Sequence, residues 1–402
     1  MERVTEFYQL MDESRMIRRD MATSYLKKMV QPTHLEFLKR IAATLCTAPR
    51  DQEGVLHLRD EQGRSVLVKD DYETSELQKD ILFFEQGEVR FLQYLSELHT
   101  GFGEELQQVC DFLGSEPYDA FFTDRDGTVN NYCGRYRSSV QSAYNAVYLS
   151  RFGRTVRQTP VILTAAPLME TGIRELCVMP EPLFLLAGSK GGEYCSFEGQ
   201  RLSRPLPAGV AEAMEALNAR LEELLQHPEN QVFTQIGSGF QKKLGETTLS
   251  YQDVFGSIPE RDSRRFSEAV HRIVSDMRSD GHSIRVEDTG KDLELIPASS
   301  SEADGGHSNG DELSHFTKGD GLRFLVQELK LLLTGKRVLV CGDTESDLPM
   351  VEAALSLGGE VSTVFATSDK DLRRRVHETG ARCEFVSTPD VLVAALDRSL
   401  AV

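Results

Sequence analysis

The sequence predicts an α/β fold with a Rossmann-like, mostly parallel sheet as its core, an inserted α/β cap and a helical N-terminal domain. The main observation is an alternation of short apolar runs with helical patterns that begins near residue 117. Such alternation is typical of a parallel sheet with helices on both faces. The runs expected to form strands lie at 119–123, 161–163, 183–186, 338–340 and 363–365.

Residues 1–114 are predicted to form a separate helical domain. Apolar residues recur there at helical spacing in three stretches, and Val55–Leu58 and Val66–Val68 flank a turn near Gly63, which indicates a hairpin. No group of catalytic residue types occurs in this region. We interpret it as a packing module or a module that docks a protein partner or a second copy of the chain.

The alternation is interrupted between residues 197 and 298. A long amphipathic helix leads into two strand-like runs near 231–238 and 247–253, and a second helix leads into strands at 283–287 and 292–296. This α-β-β-α-β-β order predicts a cap inserted into the sheet domain. A polar segment rich in Ser and Gly follows at 299–307 and is expected to be a hinge loop. The core is therefore predicted to comprise 115–196 and 308–402.

Composition excludes several classes of partner. The 402 residues carry a net charge of −18, which would repel both nucleic acid and an anionic membrane. No apolar run approaches the ~18 residues of a membrane span, and the N-terminus lacks the apolar stretch of a signal peptide. The seven cysteines are scattered without a C-x-x-C pair, which disfavours a zinc site and favours reduced thiols. We expect a cytoplasmic protein.

The run Asp124-Arg125-Asp126-Gly127-Thr128 follows the first predicted strand. Two carboxylates one residue apart at a strand end suit a nucleophile and a proton donor, so Asp124 is the candidate nucleophile and Asp126 the candidate acid and base. The Thr128 hydroxyl could hold a phosphoryl oxygen. The alternative is an ordinary turn, in which Asp and Gly are common.

A second acidic pair, Asp343 and Asp347, follows the predicted strand at 338–340. Parallel strands present their carboxyl ends at one edge of a sheet, where the sites of such folds lie. Carboxylates suit Mg²⁺, so the sequence predicts a magnesium site formed by Asp124, Asp126, Asp343 and Asp347. Alternatively, Asp347 caps the helix that begins near Leu348.

Two further residues fit phosphoryl chemistry. Thr164 follows the strand at 161–163 and offers a hydroxyl, and Lys318 could neutralise phosphoryl charge. Each alone is commonly a surface residue. Their order along the chain is what matters: an acid pair, a hydroxyl, a lysine and a second acid pair.

This order resembles the four motifs of the haloacid-dehalogenase-like phosphatases. The resemblance is more specific than the superfamily, because several runs resemble the nematode type of trehalose-6-phosphate phosphatase over roughly residues 117–370. The runs that carry this resemblance are 124–133, 163–168, 237–243 and 341–350. The N-terminal region resembles the extra domain of that group only in character and place.

The resemblance implies roles for particular residues. Asp124 would be the nucleophile, Asp126 the acid and base, and Asp343 a Mg²⁺ ligand with Asp347 in support. Lys243 and Glu294 best match the cap residues that grip the second glucose, with Lys242 beside them. Arg125 departs from the family pattern. Alternation along a strand predicts that it points away from Asp124 and Asp126 and affects packing rather than chemistry.

The function expected from the sequence is Mg²⁺-dependent hydrolysis of trehalose 6-phosphate through an aspartyl-phosphate. Two alternatives stay open. One is a phosphatase for another sugar phosphate, such as a sucrose phosphate or a glycosyl phosphoglycerate. The other is a regulatory protein that binds a sugar phosphate and acts through its N-terminal helices.

Overall fold

A computed structural model of the chain describes residues 1–29, 32–180, 182–298 and 316–399. The N-terminal region is helical and contains one antiparallel hairpin, as the apolar spacing predicts. Its elements are α1 (Val4–Leu26), α2 (Pro32–Cys46), β1 (Leu56–Arg59), β2 (Ser65–Val68), α3 (Asp71–Leu98) and α4 (Phe102–Leu113).

The first part of the core sheet follows. Its elements are β3 (Ala120–Thr123), α5 (Ala143–Gly153), β4 (Val161–Leu163), the one-turn α6 (Ile173–Leu176), β5 (Leu185–Gly188), β6 (Glu193–Cys195) and β7 (Arg201–Ser203). Strands β3, β4 and β5 are parallel, whereas β6 and β7 extend the sheet as antiparallel strands. Strand β7 pairs with β6 and is the last strand of the core sheet before the insert.

The insert has the predicted α-β-β-α-β-β order. Its elements are α7 (Val210–Gln226), β8 (Phe240–Lys243), β9 (Glu246–Ser250), α8 (Glu260–Ser279), β10 (Ile284–Asp288) and β11 (Asp292–Pro297). The four strands form an antiparallel sheet in the order β10-β11-β9-β8.

One predicted strand of the insert is wrong. The first half of the run near 231–238 belongs to a 3-10 segment, Pro228–Thr234, and the strand begins later at Phe240. Proline at the start of the segment fixes φ and lacks an amide hydrogen, so it favours a helical first turn over a strand. The apolar run is buried because it packs against the second cap helix: Phe233 stacks on Phe266 of α8 with ring centroids 3.8 Å apart.

The chain then returns to the core. Its last elements are α9 (Lys318–Glu328), β12 (Arg337–Gly342), α10 (Leu348–Ser356), β13 (Glu360–Ala366), α11 (Lys370–Glu378), β14 (Arg382–Val386) and α12 (Pro389–Arg398). The complete sheet has the order β14-β13-β12-β3-β4-β5-β6-β7. Strand β12 lies beside β3, which confirms a mostly parallel sheet and brings both acidic strand ends to one edge.

The N-terminal helices pack against the core helices that cover one face of this sheet. Helix α4 lies against α12 and α1 lies against α5, and their buried apolar side chains join those of the sheet in one cluster. Buried ion pairs cross or support this packing, including Lys79 with Asp390 at 2.7 Å and Arg18 with Asp80 at 2.7 Å. The domain boundaries given above stay a prediction.

The structure contains no helix, among the residues it describes, with both the length and the apolar character needed to cross a membrane.

Candidate active site

Asp124 occupies the carboxyl end of β3, beside the end of β12. The Asp124 amide donates to the Cys341 carbonyl at 3.0 Å, which extends the pairing of the two strands by one residue. Asp343 and Asp347 follow β12 directly. As a result Asp124, Asp343 and Asp347 each present a carboxylate oxygen, and these oxygens lie within 4.8 Å of one another.

The turn after Asp124 depends on a glycine. Gly127 has a φ of +88°, and a Cβ built on it would lie 2.1 Å from Asp343 Oδ2. Only glycine combines this conformation with so close an approach. The next residue, Thr128, is fully buried, and its Oγ1 lies 3.2 Å from Asp124 Oδ2 and 3.1 Å from Asp343 Oδ1.

Lys318 lies between two of the carboxylates. Its Nζ donates to Asp124 Oδ1 at 2.6 Å and to Asp347 Oδ1 at 2.5 Å. It is the first residue of α9, where Thr317 and Asp320 form a capping box that fixes the start of the helix. Burial alone would lower the pKa of Lys318, but the two carboxylates outweigh it and raise the pKa well above its ordinary value.

Asp347 is held from two sides. Its Oδ2 accepts the backbone amides of Asp343 and Thr344, each at 3.0 Å, so it caps the short 3-10 turn that contains it. Its side chain makes no capping hydrogen bond to α10, contrary to the alternative considered above. A Cβ on Gly342 would lie 2.5 Å from Asp347 Cβ, so this turn also needs glycine.

The charges of the cluster do not balance. Three buried or partly buried carboxylates face one ammonium group. Burial, with repulsion from the neighbouring carboxylates, raises the pKa of Asp124 to about 7 and that of Asp343 to about 8. A divalent cation would remove this repulsion, and an all-oxygen donor set suits a hard cation such as Mg²⁺. The residues therefore fit a metal. The carboxylate of Asp126, also predicted as a ligand, is not part of this group.

Asp126 lies beside the cluster. Its contacts show that the predicted orientation of Arg125 is wrong. Arg125 is buried and does not point away, because its Nη1 donates to Asp126 Oδ1 at 2.5 Å. Strand β3 ends at Thr123, so the alternation of side chains does not extend to residues 124–126. Ser139 Oγ also donates to Asp126 Oδ1, at 2.8 Å. Asp126 is thus held by an arginine and a serine that the sequence did not indicate.

Thr164 lies where the sequence predicts, at the carboxyl end of β4. It is buried, its amide donates to the Ala187 carbonyl at 3.0 Å, and its hydroxyl oxygen accepts the amide of Ala166 at 3.2 Å. Thr164 lines the same cavity as Asp124 and Lys318.

This cavity has a volume of about 340 Å³ and lies between the core and the cap. Two of the three predicted cap residues, Lys243 on β8 and Glu294 on β11, line it together with Asp124. Lys242 does not. Side chains alternate along β8, so Lys242 points to the other face, where it pairs with Glu170 at 2.7 Å and with Glu222 at 3.0 Å.

Two protein-family models match the chain. The family described as "Trehalose-6-phosphate phosphatase, C-terminal" matches residues 121–392, and "Trehalose-6-phosphate phosphatase N-terminal helical bundle domain" matches residues 3–101. The chain belongs to the trehalose-6-phosphate phosphatase family. The resemblance drawn from the motifs is therefore confirmed.

Curated relatives of the trehalose-6-phosphate phosphatase family differ in length. "Alpha,alpha-trehalose-phosphate synthase [UDP-forming] 2" of Aphelenchoides avenae is 31% identical over 97% of this chain, but only 31% of that relative is covered. The chain thus spans about a third of the length of the first such relatives. "Trehalose-phosphatase" of Caenorhabditis briggsae is 32% identical, over 74% of this chain and 69% of the relative.

Solved structures of similar proteins include a "trehalose-6-phosphate phosphatase related protein". It is 15% identical, with a TM-score of 0.44, over 69% of this chain and 95% of that one. The C-terminal domain of the C. albicans trehalose-6-phosphate phosphatase is 12% identical, with the same TM-score, over 74% and 97% of the two chains.

Several residues of this family member that line or support the cavity were missed. Gln241 lies two residues before Lys243 on β8 and lines the cavity with it, so alternation along the strand could have found it. Glu246 binds Lys243 at 2.8 Å and Lys190 of the core at 2.6 Å. No local pattern links residues 190 and 246, so only the fold reveals this contact.

Proposed function

We propose that the chain is a Mg²⁺-dependent phosphatase that hydrolyses trehalose 6-phosphate to trehalose and phosphate. The observation that carries the proposal is one cavity that holds both the carboxylate cluster around Asp124 and the polar cap residues Lys243 and Glu294. The first set suits phosphoryl transfer, and the second suits a polyhydroxylated leaving group. Membership of the trehalose-6-phosphate phosphatase family supports the choice of sugar.

In the first step, Asp124 attacks phosphorus and forms an aspartyl-phosphate. The bond from phosphorus to the sugar oxygen breaks, and Asp126 supplies a proton to that oxygen. In the second step, Asp126 removes a proton from water, which attacks the aspartyl-phosphate and releases inorganic phosphate and free Asp124. Thr164, which lines the cavity, donates its hydroxyl hydrogen to a phosphoryl oxygen, and Lys318 neutralises the phosphoryl charge. Thr128, which is fully buried, holds the carboxylates of Asp124 and Asp343 instead.

Asp124 and Asp343 would hold Mg²⁺, with Asp347 in support. When bound, the ion supplies positive charge that screens the phosphoryl oxygens from the carboxylates. Lys243 and Glu294 would select the sugar by hydrogen bonds to its hydroxyl groups. Because the cavity lies between core and cap, movement of the cap over the core would exclude bulk water during the reaction.

Phosphate release from a panel of sugar phosphates, with Mg²⁺ and with a chelator, tests this proposal. We expect trehalose 6-phosphate to be hydrolysed fastest, and we expect no phosphate release in the chelator. Asp124→Asn should fold, as judged by circular dichroism, and should release no phosphate. Activity in that variant would refute the role of Asp124, and equal turnover of sucrose 6-phosphate would refute the choice of sugar.

A further inference from the structure

Helix α3 of the N-terminal bundle contacts the loop that follows Asp126 at two successive residues. Asn130 Nδ2 donates to Tyr72 Oη at 3.0 Å, and Asn131 Nδ2 donates to Glu76 Oε1 at 3.0 Å. Residues 72 and 76 are four apart, so they lie on the same face of α3, one turn from each other. Two adjacent turns of one bundle helix therefore accept hydrogen bonds from this loop.

The Tyr72 hydroxyl also joins a second segment near Asp126. It donates to the Val140 carbonyl at 2.8 Å, and Val140 follows Ser139, whose hydroxyl donates to Asp126 Oδ1 at 2.8 Å. Asn130 Nδ2 lies 3.5 Å from the same Asp126 oxygen. Tyr72 thus stands where the two chain segments that hold Asp126 meet.

These groups are shielded from water. Tyr72 is 9% exposed, Asn130 2% and Ser139 1%. A buried hydroxyl or amide that loses its hydrogen-bond partner cannot bond to water instead. Conformations that break these hydrogen bonds are therefore strongly disfavoured. Among the residues described, every hydrogen bond to the Asp126 side chain reaches Oδ1, and Asp126 also lines the cavity. The network therefore fixes one oxygen and leaves the other available to substrate.

We propose that Tyr72 is a positioning residue for Asp126, and that the N-terminal bundle is in this way a part of the catalytic scaffold. The inference rests on the proposed function, because it concerns the proton that Asp126 supplies to the sugar oxygen. It gives the bundle a role in the reaction itself, in addition to packing or docking.

Leaving-group dependence separates positioning from a general loss of structure. A sugar alkoxide needs a proton as it leaves, whereas p-nitrophenolate leaves readily without one. The value of kcat/KM reports only the steps up to the first transfer of phosphorus to Asp124. A displaced Asp126 should therefore lower kcat/KM for trehalose 6-phosphate and spare kcat/KM for p-nitrophenyl phosphate. A partly unfolded enzyme loses both equally.

The decisive experiment measures both kcat/KM values for the full chain with Tyr72→Phe, which removes only the hydroxyl. General acids contribute roughly 100-fold or more, so partial displacement should cost roughly tenfold on trehalose 6-phosphate and less than about twofold on the aryl ester. Tyr118→Phe is the matched control. Tyr118 is also buried, at 2% exposed, its hydroxyl donates to the Leu113 carbonyl at 3.4 Å, and it does not line the cavity.

Asn130→Ala provides a second variant and carries the same expectation if Tyr72→Phe does not fold. The double variant should lose no more than the more impaired single variant, because both act on Asp126. Equal losses on the two substrates, or no loss on trehalose 6-phosphate, would overturn the inference. In either case an active wild type and an active Tyr118→Phe would leave the proposed function standing.

Discussion

The core half of the site and the cap half differ in how their charged groups are held. The core half comprises Asp124, Thr128, Lys318, Asp343 and Asp347, and the cap half comprises Gln241, Lys243, Glu246 and Glu294. In the core half, residues from the turn after β3, from α9 and from the turn after β12 bond directly to one another, and Lys318 is only 5% exposed. In the cap half, the described ion pairs run through Glu246 alone.

This difference suggests a division of labour. The core half is already assembled around the point where phosphorus would lie, so it should act on any phosphate ester that reaches it. The side chains of the cap half come from a separate sheet and share the cavity with the core half. Glu246 of the cap half also forms an ion pair with Lys190 of the core domain. Changes in the core half should therefore affect all substrates, and changes in the cap half should affect the sugar phosphate selectively.

The largest effect is expected for Gly127→Ala. Its Cβ would overlap Asp343 Oδ2 and would also strain a backbone with a φ of +88°, so Asp343 must move. We expect kcat/KM to fall at least about 100-fold on both trehalose 6-phosphate and p-nitrophenyl phosphate. Gly103→Ala is the control, since Gly103 lies in α4 with nothing within 4 Å of its Cβ position. A loss of kcat/KM on trehalose 6-phosphate alone would contradict the expected difference between the core half and the cap half.

A slightly smaller effect is expected for Lys318→Met. The variant leaves Asp124 and Asp347 buried without their cation, which should lower the unfolding free energy by about 3 kcal/mol in a chelator and abolish most activity on both substrates. Mg²⁺ should then raise its melting temperature more than that of the wild type, because the cluster is more negative. The exposed Lys27→Met serves as control. An unchanged response to Mg²⁺ would argue against a metal at this cluster.

The same contrast explains what the sequence could predict. The acids at 124, 343 and 347 follow apolar strands, so the pattern locates each strand end, and the parallel sheet then brings them together. The prediction for Arg125 is wrong because the alternation of side chains stops where β3 ends, at Thr123. Contacts such as that of Glu246 with Lys190 join distant segments and have no local signal in the sequence.

In the cap half, Glu246→Gln should have an intermediate and selective effect. It removes the acid that holds Lys243, whose side chain is 7% exposed, and weakens the contact with the core at Lys190. We expect the KM for trehalose 6-phosphate to rise roughly tenfold, while kcat/KM for p-nitrophenyl phosphate changes less than about threefold. Glu260→Gln is the matched control, because the Glu260 side chain is exposed at the start of α8 in the cap. Equal losses on both esters would contradict the division between the halves.

The same variant also has a predicted pH signature. Burial alone would raise the pKa of Glu246, but Lys243 and Lys190 outweigh it and lower the pKa from 4.5 to about 2. A folded-state pKa below the unfolded one stabilises the fold above about pH 4.5, and this stabilisation is lost as the pH falls towards 2. The unfolding free energy, measured with urea at about pH 6 and at about pH 3, should therefore fall less between these pH values in Glu246→Gln than in the wild type.

The smallest effect is expected for Lys242→Ala, and its neighbour supplies the contrast. Lys242 and Lys243 are adjacent on β8 but point to opposite faces, and only Lys243 lines the cavity with Asp124. Lys243→Ala should strongly impair turnover of trehalose 6-phosphate and spare the aryl ester. Lys242→Ala loses only partly exposed ion pairs with Glu170 and Glu222, so both kcat/KM values should stay within about twofold of the wild type. If Lys242→Ala were as damaging as Lys243→Ala, the prediction that only Lys243 contacts the sugar would be wrong, because alternation along β8 directs the two side chains to opposite faces.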